Sequence, residues 1–405
     1  MGKTKIFVSA YACEPDHGSE IGVGWHWVLE MSKYFELWVL TRKSNQEVIE
    51  HWFLKHPDTN EIHFVYYDLP DKLRFWKKGM RGVRTYYNIW QSRTNKIVKK
   101  TMIENNIKIY HLLTYGNALW KASKYGMTQT FVWGPTGGVD TIPKEYSQCY
   151  TPKARFIEWV RRCVVKTLPL NHGFKKRCKN ADLILCKSYN MQNAVPEEYR
   201  DKAVLCTDVA VDIKEQVVAE NHVQPTKYLA VGKLDAWRGF DLLVEALGLA
   251  LRENSNITLD ILGIGMDYER IHRIIKDLGV ENQVNQAGEV AFDEYKEYMK
   301  DADVVVNPAL KEGAVTVSFD SMAYKKPLIC IDTGGYTRYF TNDYAVVLER
   351  KDRKSVVEEL KDSILKLTDS VLRKQLGDKA FQAGMKYTWE DKGKEIKELI
   401  QSLDK

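Results

Sequence analysis

No two cysteines in this sequence stand in CxxC spacing. The seven that occur, at 13, 149, 163, 178, 186, 206 and 330, are odd in number and scattered. That excludes a zinc-binding knuckle or disulfide framework and leaves reduced thiols. No apolar run approaches the roughly 18 residues that span a bilayer. No signal-peptide core precedes the apolar Ile6-Phe7-Val8, and Ile6 replaces the Ser or Thr that a myristoylation signal wants, so a cytoplasmic protein is expected. Phosphate-loop chemistry is missing too: Gly2-Lys3-Thr4 ends like such a loop but has neither the upstream glycine nor a preceding strand. Gly263-Ile264-Gly265 lacks the third glycine of a dinucleotide fingerprint, which argues against a NAD-dependent dehydrogenase. No acidic pair follows a strand where it could hold Mg²⁺, so neither a metal nor a cofactor is expected. No RNA or DNA motif accompanies the net charge of +6, so nucleic acid is not an expected partner.

One stretch lacks negative charge altogether. Residues 72–100 hold ten Lys or Arg and no Asp or Glu, with Phe75, Trp76, Tyr86, Tyr87 and Trp90 between them. A second basic segment, 153–179, interleaves its cations with Phe156, Trp159, Val164, Val165 and Leu168 and has one Glu. Interleaved cations and aromatics suit an anionic membrane face. The alternative is a solvated helix face whose aromatics point into the core.

Against these absences stands a regular alternation of strand and helix patterns. A chain of 405 residues is long enough for two cores, and 44% apolar residues is a globular composition. Short apolar runs at 6–8, 37–40, 63–67, 107–113, 131–133, 183–186 and 203–205 read as strands, with a long glycine-bearing loop at 11–24, a helix from Trp25, and a tight glycine turn at 134–138. Between Asp212 and Thr226 the pattern turns polar, so domains are expected at 1–212 and 213–385. The second half repeats the scheme, with strands at 228–231, 257–262 and 284–287, each followed by a charged or glycine-bearing loop.

The most informative stretch is 303–335. Val304-Val305-Val306 reads as a buried parallel strand and Leu328-Ile329-Cys330-Ile331 as another. Between them lies a loop ending Lys311-Glu312-Gly313 and a helix with Thr316 as its N-cap, stopped by Lys325-Lys326-Pro327. Glu312 and Asp320 lie eight apart at the carboxyl end of a strand, where helix N-termini favour anions and carboxylates accept hydrogen bonds from hydroxyls. A sugar nucleotide carries both kinds of group. Lys233 and Arg238, five apart on one loop, can reach the same pair of phosphates and do the work of a metal. Each of these four residues taken singly reads sooner as a surface charge than as a ligand.

Together they form a recognisable set. Val231-Gly232-Lys233-Leu234-Asp235 and Arg238-Gly239-Phe240-Asp241-Leu242-Leu243 are similar to the VGRL…KGFDLL loop of the family-four glycosyltransferases. Glu312 to Asp320 resembles that family's Glu-x7-Glu motif, and Ile331-Asp332-Thr333-Gly334-Gly335 its TDxGG. The first half is similar more loosely, through the glycine loop at 18–24, His111 and 134–138. Tyr387-Thr388-Trp389-Glu390 resembles the start of a closing helix, 386–405, that crosses back to the first domain.

The resemblance implies an α/β protein of GT-B fold, two Rossmann-like doubly wound domains facing each other across a cleft. It implies a retaining, metal-independent hexosyltransferase using a UDP- or GDP-sugar. In it Lys233 and Arg238, with Gly232, hold the donor diphosphate, and Glu312 meets the transferred sugar. Gly263, Gly313, Ala314, Val315 and Thr316 line the donor, Asp320 binds the ribose, and the backbone from Gly288 to Val290 lies by the base. His111 sits by the reacting sugar, and Gly18, Ser19 and Glu20, with Gly137 and Gly138, form the acceptor-side loops. Three positions depart from the family pattern: Lys233 replaces Arg, Arg238 replaces Lys, and Asp320 replaces the second Glu. No nucleophile is assignable, so the acceptor hydroxyl attacks from the face that the nucleoside diphosphate leaves.

With the basic segments, this reading expects a saccharide acceptor on a polyprenyl lipid in surface polysaccharide or glycan synthesis, at the inner face of the membrane. The competing expectations are a sugar-nucleotide epimerase of the same fold and a catalytically silent binding protein. A phosphorylase is disfavoured, because no lysine sits in an obvious pyridoxal phosphate context.

Overall fold

A computed structural model of the chain describes residues 2–73, 76–77, 82–213, 225–311, 315–335 and 338–404. It divides into two compact units. The first comprises Met1–Val139, Lys166–Asp208 and Trp389–Lys405, the second Asp140–Val165 and Val209–Thr388.

In the first unit seven strands form one parallel sheet: β1 (Lys5–Ser9), β2 (Glu36–Thr41), β3 (Ile62–Tyr66), β4 (Ile109–Leu112), β5 (Thr130–Thr136), β6 (Leu183–Cys186) and β7 (Ala203–Leu205). Their order is β3-β2-β1-β4-β5-β6-β7. The second unit has six: β8 (Thr226–Val231), β9 (Ile257–Leu262), β10 (Val284–Gly288), β11 (Val304–Asn307), β12 (Leu328–Ile331) and β13 (Val346–Leu348), ordered β10-β9-β8-β11-β12-β13. Helices cover both faces, so the central strands are buried throughout, as with Ile6, Phe7 and Val8 or Val304, Val305 and Val306. Each sheet reverses its order once, between β1 and β4 and between β8 and β11. Ligands of open α/β sheets bind at such switch points, beyond the carboxyl ends of the strands.

Several expectations need correction. The glycine loop is helix from residue 19 onward, because Ser19–Ser32 is one helical element. A Cβ on Gly24 would overlap the Ala12 carbonyl oxygen, so the glycine serves close packing of this helix against the loop after β1. At 134–138 there is no tight turn: β5 runs on to Thr136, and its pairing with β6 slips between Trp133 and Thr136. Strand β13 was not anticipated.

The boundary at 212 also changes, since Asp140–Val165 packs with the second unit. Ile142, Tyr146 and Tyr150 enter that unit's core beside Leu234, Phe240 and Leu310, and Tyr146 Oη donates to the Lys351 carbonyl. The terminal helix Trp389–Gln401 packs on Ser19–Ser32, with Trp389 stacked on His26 at 4.8 Å.

The two basic segments behave differently. Phe75 lies outside the described residues, but helix Val83–Arg93 turns Tyr86, Tyr87 and Trp90 into the core. There Trp90 Nε1 donates to the Tyr67 carbonyl at 2.8 Å and Tyr86 Oη to Asp68 at 2.8 Å. These aromatics therefore hold the first unit together and are not offered to a membrane. Helix Pro152–Thr167, in the second segment, leaves Phe156 and Trp159 exposed.

Candidate functional site

The site of the second unit grows from its glycines. β8 ends at Val231, and the chain passes through Gly232 to Lys233, buried Leu234 and Asp235 before helix Phe240–Glu253. The loop after β9 joins it backbone to backbone: Leu234 N–H donates to the Ile264 carbonyl at 3.1 Å, and Asp267 N–H to the Leu234 carbonyl at 2.8 Å. Gly263 N–H reaches on to the carbonyl of Gly288, the last residue of β10, at 2.6 Å. With φ +125° and the Gly232 carbonyl where a Cβ would stand, Gly263 can only be glycine. Three loops thus form one layer at the carboxyl edge of the sheet, and Val290 lies half-buried at its far side.

Across the switch point, Leu310 N–H donates to the Trp237 carbonyl at 3.0 Å, tying the loop after β11 to the loop after β8. Trp237 is flanked by two cations, Arg238 at 4.5 Å from its ring centroid and Lys311 at 4.9 Å. The Arg238 guanidinium lies over Gly232, where a Cβ would come within 3.7 Å of Nη1. Lys233, on the same loop, is 62% exposed, with Nζ 3.4 Å from Asp235. Lys311 is committed elsewhere: it forms a buried ion pair with Glu158 of helix Pro152–Thr167. Arg238 and Lys233 thus stand together on the loop after β8, while Lys311 fixes the backbone just before residue 312.

Glu312, Gly313 and Ala314 lie outside the described residues. Val315 precedes helix Thr316–Ala323 as its N-cap with no side-chain cap bond, so Thr316 is the first helical residue and not the cap. On the next turn the Asp320 carboxylate accepts a hydrogen bond from Tyr295 Oη at 2.5 Å. Burial pushes the Asp320 carboxyl up to about 7; Asp212 adds to the rise, and the Tyr295 bond opposes it.

In the first unit, the loops after β1, β4, β5 and β6 meet at the corresponding edge. Gly18 is the N-cap of Ser19–Ser32, and Ser19 is exposed at φ +60°. Glu20 Oε1 accepts from Tyr115 N–H at 2.7 Å, and burial raises its pKa against the opposing pull of Lys187. Lys187 pairs with Asp208 at 2.5 Å, and its stem passes Gly137, where a Cβ would come within 3.5 Å. Gly138 abuts the Asn117 side chain. Glu20, Gly137, Lys187 and Asp208 form a polar cluster of which the sequence pointed to the first two.

His111 does not belong to it. The ring is fully buried in the middle of β4, and its Nε2–H donates to the Gly134 carbonyl at 2.7 Å. Desolvation lowers its pKa to about 4, which keeps it neutral, with Nδ1 left without a hydrogen-bond partner. His111, which the resemblance sets by the reacting sugar, here ties β4 to the Gly134 carbonyl of β5.

Comparison with known proteins decides the second unit's kinship. Residues 212–383 match the family model described as glycosyl transferases group 1. This segment is a glycosyl transferases group 1 domain. An uncharacterized glycosyltransferase of Methanocaldococcus jannaschii is 25% identical over 231 residues, 57% of this chain and 62% of that protein. The matched region thus spans less than two thirds of this relative. Among solved structures, Anabaena Alr3699/HepE in complex with UDP superposes with a TM-score of 0.62 at 13% identity, covering 98% of this chain and all of that one. The lipopolysaccharide outer core galactosyltransferase WaaB, in its apo form, gives 0.61 at 17% identity over 98% and 99% of the two chains. These likenesses establish the fold, two parallel-sheet α/β units of the GT-B class.

Within the group 1 domain, Trp237, Tyr295 and Lys311 had been given no role from the sequence. Trp237 and Lys311 are neighbours of singled-out residues and were open to discovery; Tyr295 meets Asp320 only through the fold. The pair carries a testable consequence. A carboxyl whose folded pKa lies above its unfolded value of about 3.8 binds its proton more tightly in the native state. Its contribution to stability is therefore full at low pH and is lost as pH rises from about 4 through about 7. Asp320→Asn is expected to melt above wild type by a margin that grows between pH 5 and pH 7.5, at up to ~1.4 kcal/mol per pH unit. Thermal melts of both proteins in matched buffers check this, and a pH-independent margin would contradict it.

Proposed function

We propose that this protein is a retaining glycosyltransferase that moves a sugar from a UDP- or GDP-sugar to a saccharide on a polyprenyl lipid, in surface glycan assembly. One observation carries the reading: Arg238 lies over Gly232 at the switch point of a group 1 domain, with Lys233 beside it on the same loop. A glycine that brings backbone close, and two cations with no bulk between them, suit a diphosphate. The HepE structure is a complex with UDP, which supports a nucleoside diphosphate donor, and the name of WaaB supports a glycan acceptor of the lipopolysaccharide kind.

The steps follow from charge. As the bond from the sugar to the diphosphate breaks, negative charge grows on the leaving oxygen. In this reading the Arg238 fork, which lies against Trp237, and the exposed Lys233 ammonium neutralise that charge without a resident metal. Ribose hydroxyls donate to the Asp320 carboxylate, which Tyr295 orients. Glu312 is assigned to the transferred sugar. The acceptor hydroxyl attacks from the departing side and passes its proton to the leaving diphosphate oxygen, and the polar cluster of Glu20, Lys187 and Asp208 in the first unit is assigned to the acceptor's other hydroxyls.

Incubation with UDP- and GDP-sugars and a polyprenyl-linked saccharide tests the proposal. Release of nucleoside diphosphate matched by a gain of one sugar mass on the acceptor is expected. Neither change with any donor would overturn it.

A further inference from the structure

Helix Pro152–Thr167 is the exposed apolar feature that the donor site leaves unexplained. It has 16 residues, and its Phe156, Trp159, Ile157 and Val160 are exposed, the first two by 63% and 56%. Phe156 and Trp159 pack against each other at 5.9 Å and so form one aromatic patch. With Cys163 they occupy one side at helical spacing. On the opposite side Glu158 is 5% exposed and forms the buried ion pair with Lys311. That pair sets the rotation of the helix: with Glu158 held inward, the aromatic stripe must face out.

Charge selects the occupant. Lys153, Arg155, Arg162 and Lys166 border the stripe, and the helix's sole acid is the neutralised Glu158. A second copy of this helix would set cations against cations. An anionic bilayer offers acyl chains to the stripe and phosphate charge to its borders, and Trp is favoured at that depth. No helix among the described residues is long and apolar enough to cross a membrane, so this one would lie in the plane of the surface.

We infer that helix Pro152–Thr167 docks the protein onto anionic lipid headgroups, with Phe156 and Trp159 inserted below them. The inference rests on the reading of a lipid-borne acceptor and deepens it, because Glu158 couples the docked helix to the loop that ends at Lys311.

Flotation of the full chain with vesicles of phosphatidylcholine containing phosphatidylglycerol, beside vesicles of phosphatidylcholine alone, is the test. Wild type is expected to float with the anionic vesicles, and far less with neutral ones or in high salt. Phe156→Ala with Trp159→Ala should lower partitioning by about tenfold or more, and so should Arg155→Gln with Arg162→Gln. Both variants should keep wild-type melting temperature and wild-type release of nucleoside diphosphate to a water-soluble acceptor. Wild type that turns over donor but stays at the bottom of the gradient overturns the docking inference alone. Flotation without turnover sinks the proposed function and leaves docking standing. Equal flotation of the aromatic variant would refute the inference, as would a wild-type dimer that this variant dissociates in the absence of any lipid binding.

Discussion

Arg238→Ala is expected to lower sugar transfer by about 10²- to 10³-fold, the usual loss when one preorganised donor to a developing negative charge is removed. The fall should appear in kcat as well as in donor affinity, because the charge on the leaving diphosphate grows only as the bond breaks. Lys should rescue it only in part. A lysine restores the charge, but not the planar fork that stacks on Trp237 at 4.5 Å. Lys233→Ala should cost less, because Lys233 is exposed and already shares its charge with Asp235. Steady-state kinetics on the three variants measures the order, and wild-type kcat in Arg238→Ala would remove this residue from the chemistry.

The second large effect concerns stability. Lys311→Ala leaves Glu158 buried without its principal cation, a change that typically costs about 3–5 kcal/mol; Arg161, at 3.9 Å from the same carboxylate, is a distant substitute. Glu158→Leu combined with Lys311→Met should recover most of the loss, because it is the unpaired charge that is costly and not the absence of the pair. Urea titrations of the single and double variants, followed by tryptophan fluorescence, decide this. A Lys311→Ala midpoint within error of wild type would mean that water reaches the pair and that helix Pro152–Thr167 is not fixed by it.

Much of this architecture was legible because parallel strands buried on both faces are continuous apolar runs. Val304-Val305-Val306 and Leu328 to Ile331 could scarcely be anything else. The loop at 232–239 was legible because its glycines and cations are contiguous. What could not be read depends on distant partners. Ile142, Tyr146 and Tyr150 look like members of the first unit until they are seen in the core of the second. Glu158 and Lys311 are 153 positions apart, and Tyr295 and Asp320 are 25 apart on different helices. His111 shows a related limit. In a strand covered on both sides no alternation separates a buried position from a reactive one, and the ring proved to lie inside. The two basic aromatic segments were alike in composition. Only burial separates helix Val83–Arg93, whose aromatics are core, from Pro152–Thr167, whose aromatics face out.

Everything proposed about chemistry depends on a nucleoside diphosphate seated against Gly232 and Arg238. Calorimetric titration of UDP and of GDP into the wild-type chain, repeated with Arg238→Ala, addresses it most directly. One nucleotide should bind wild type at a single site and bind the variant at least about tenfold more weakly, equivalent to ~1.4 kcal/mol. Binding of equal strength to both proteins, or no heat with either nucleotide at millimolar concentration, would contradict the assignment.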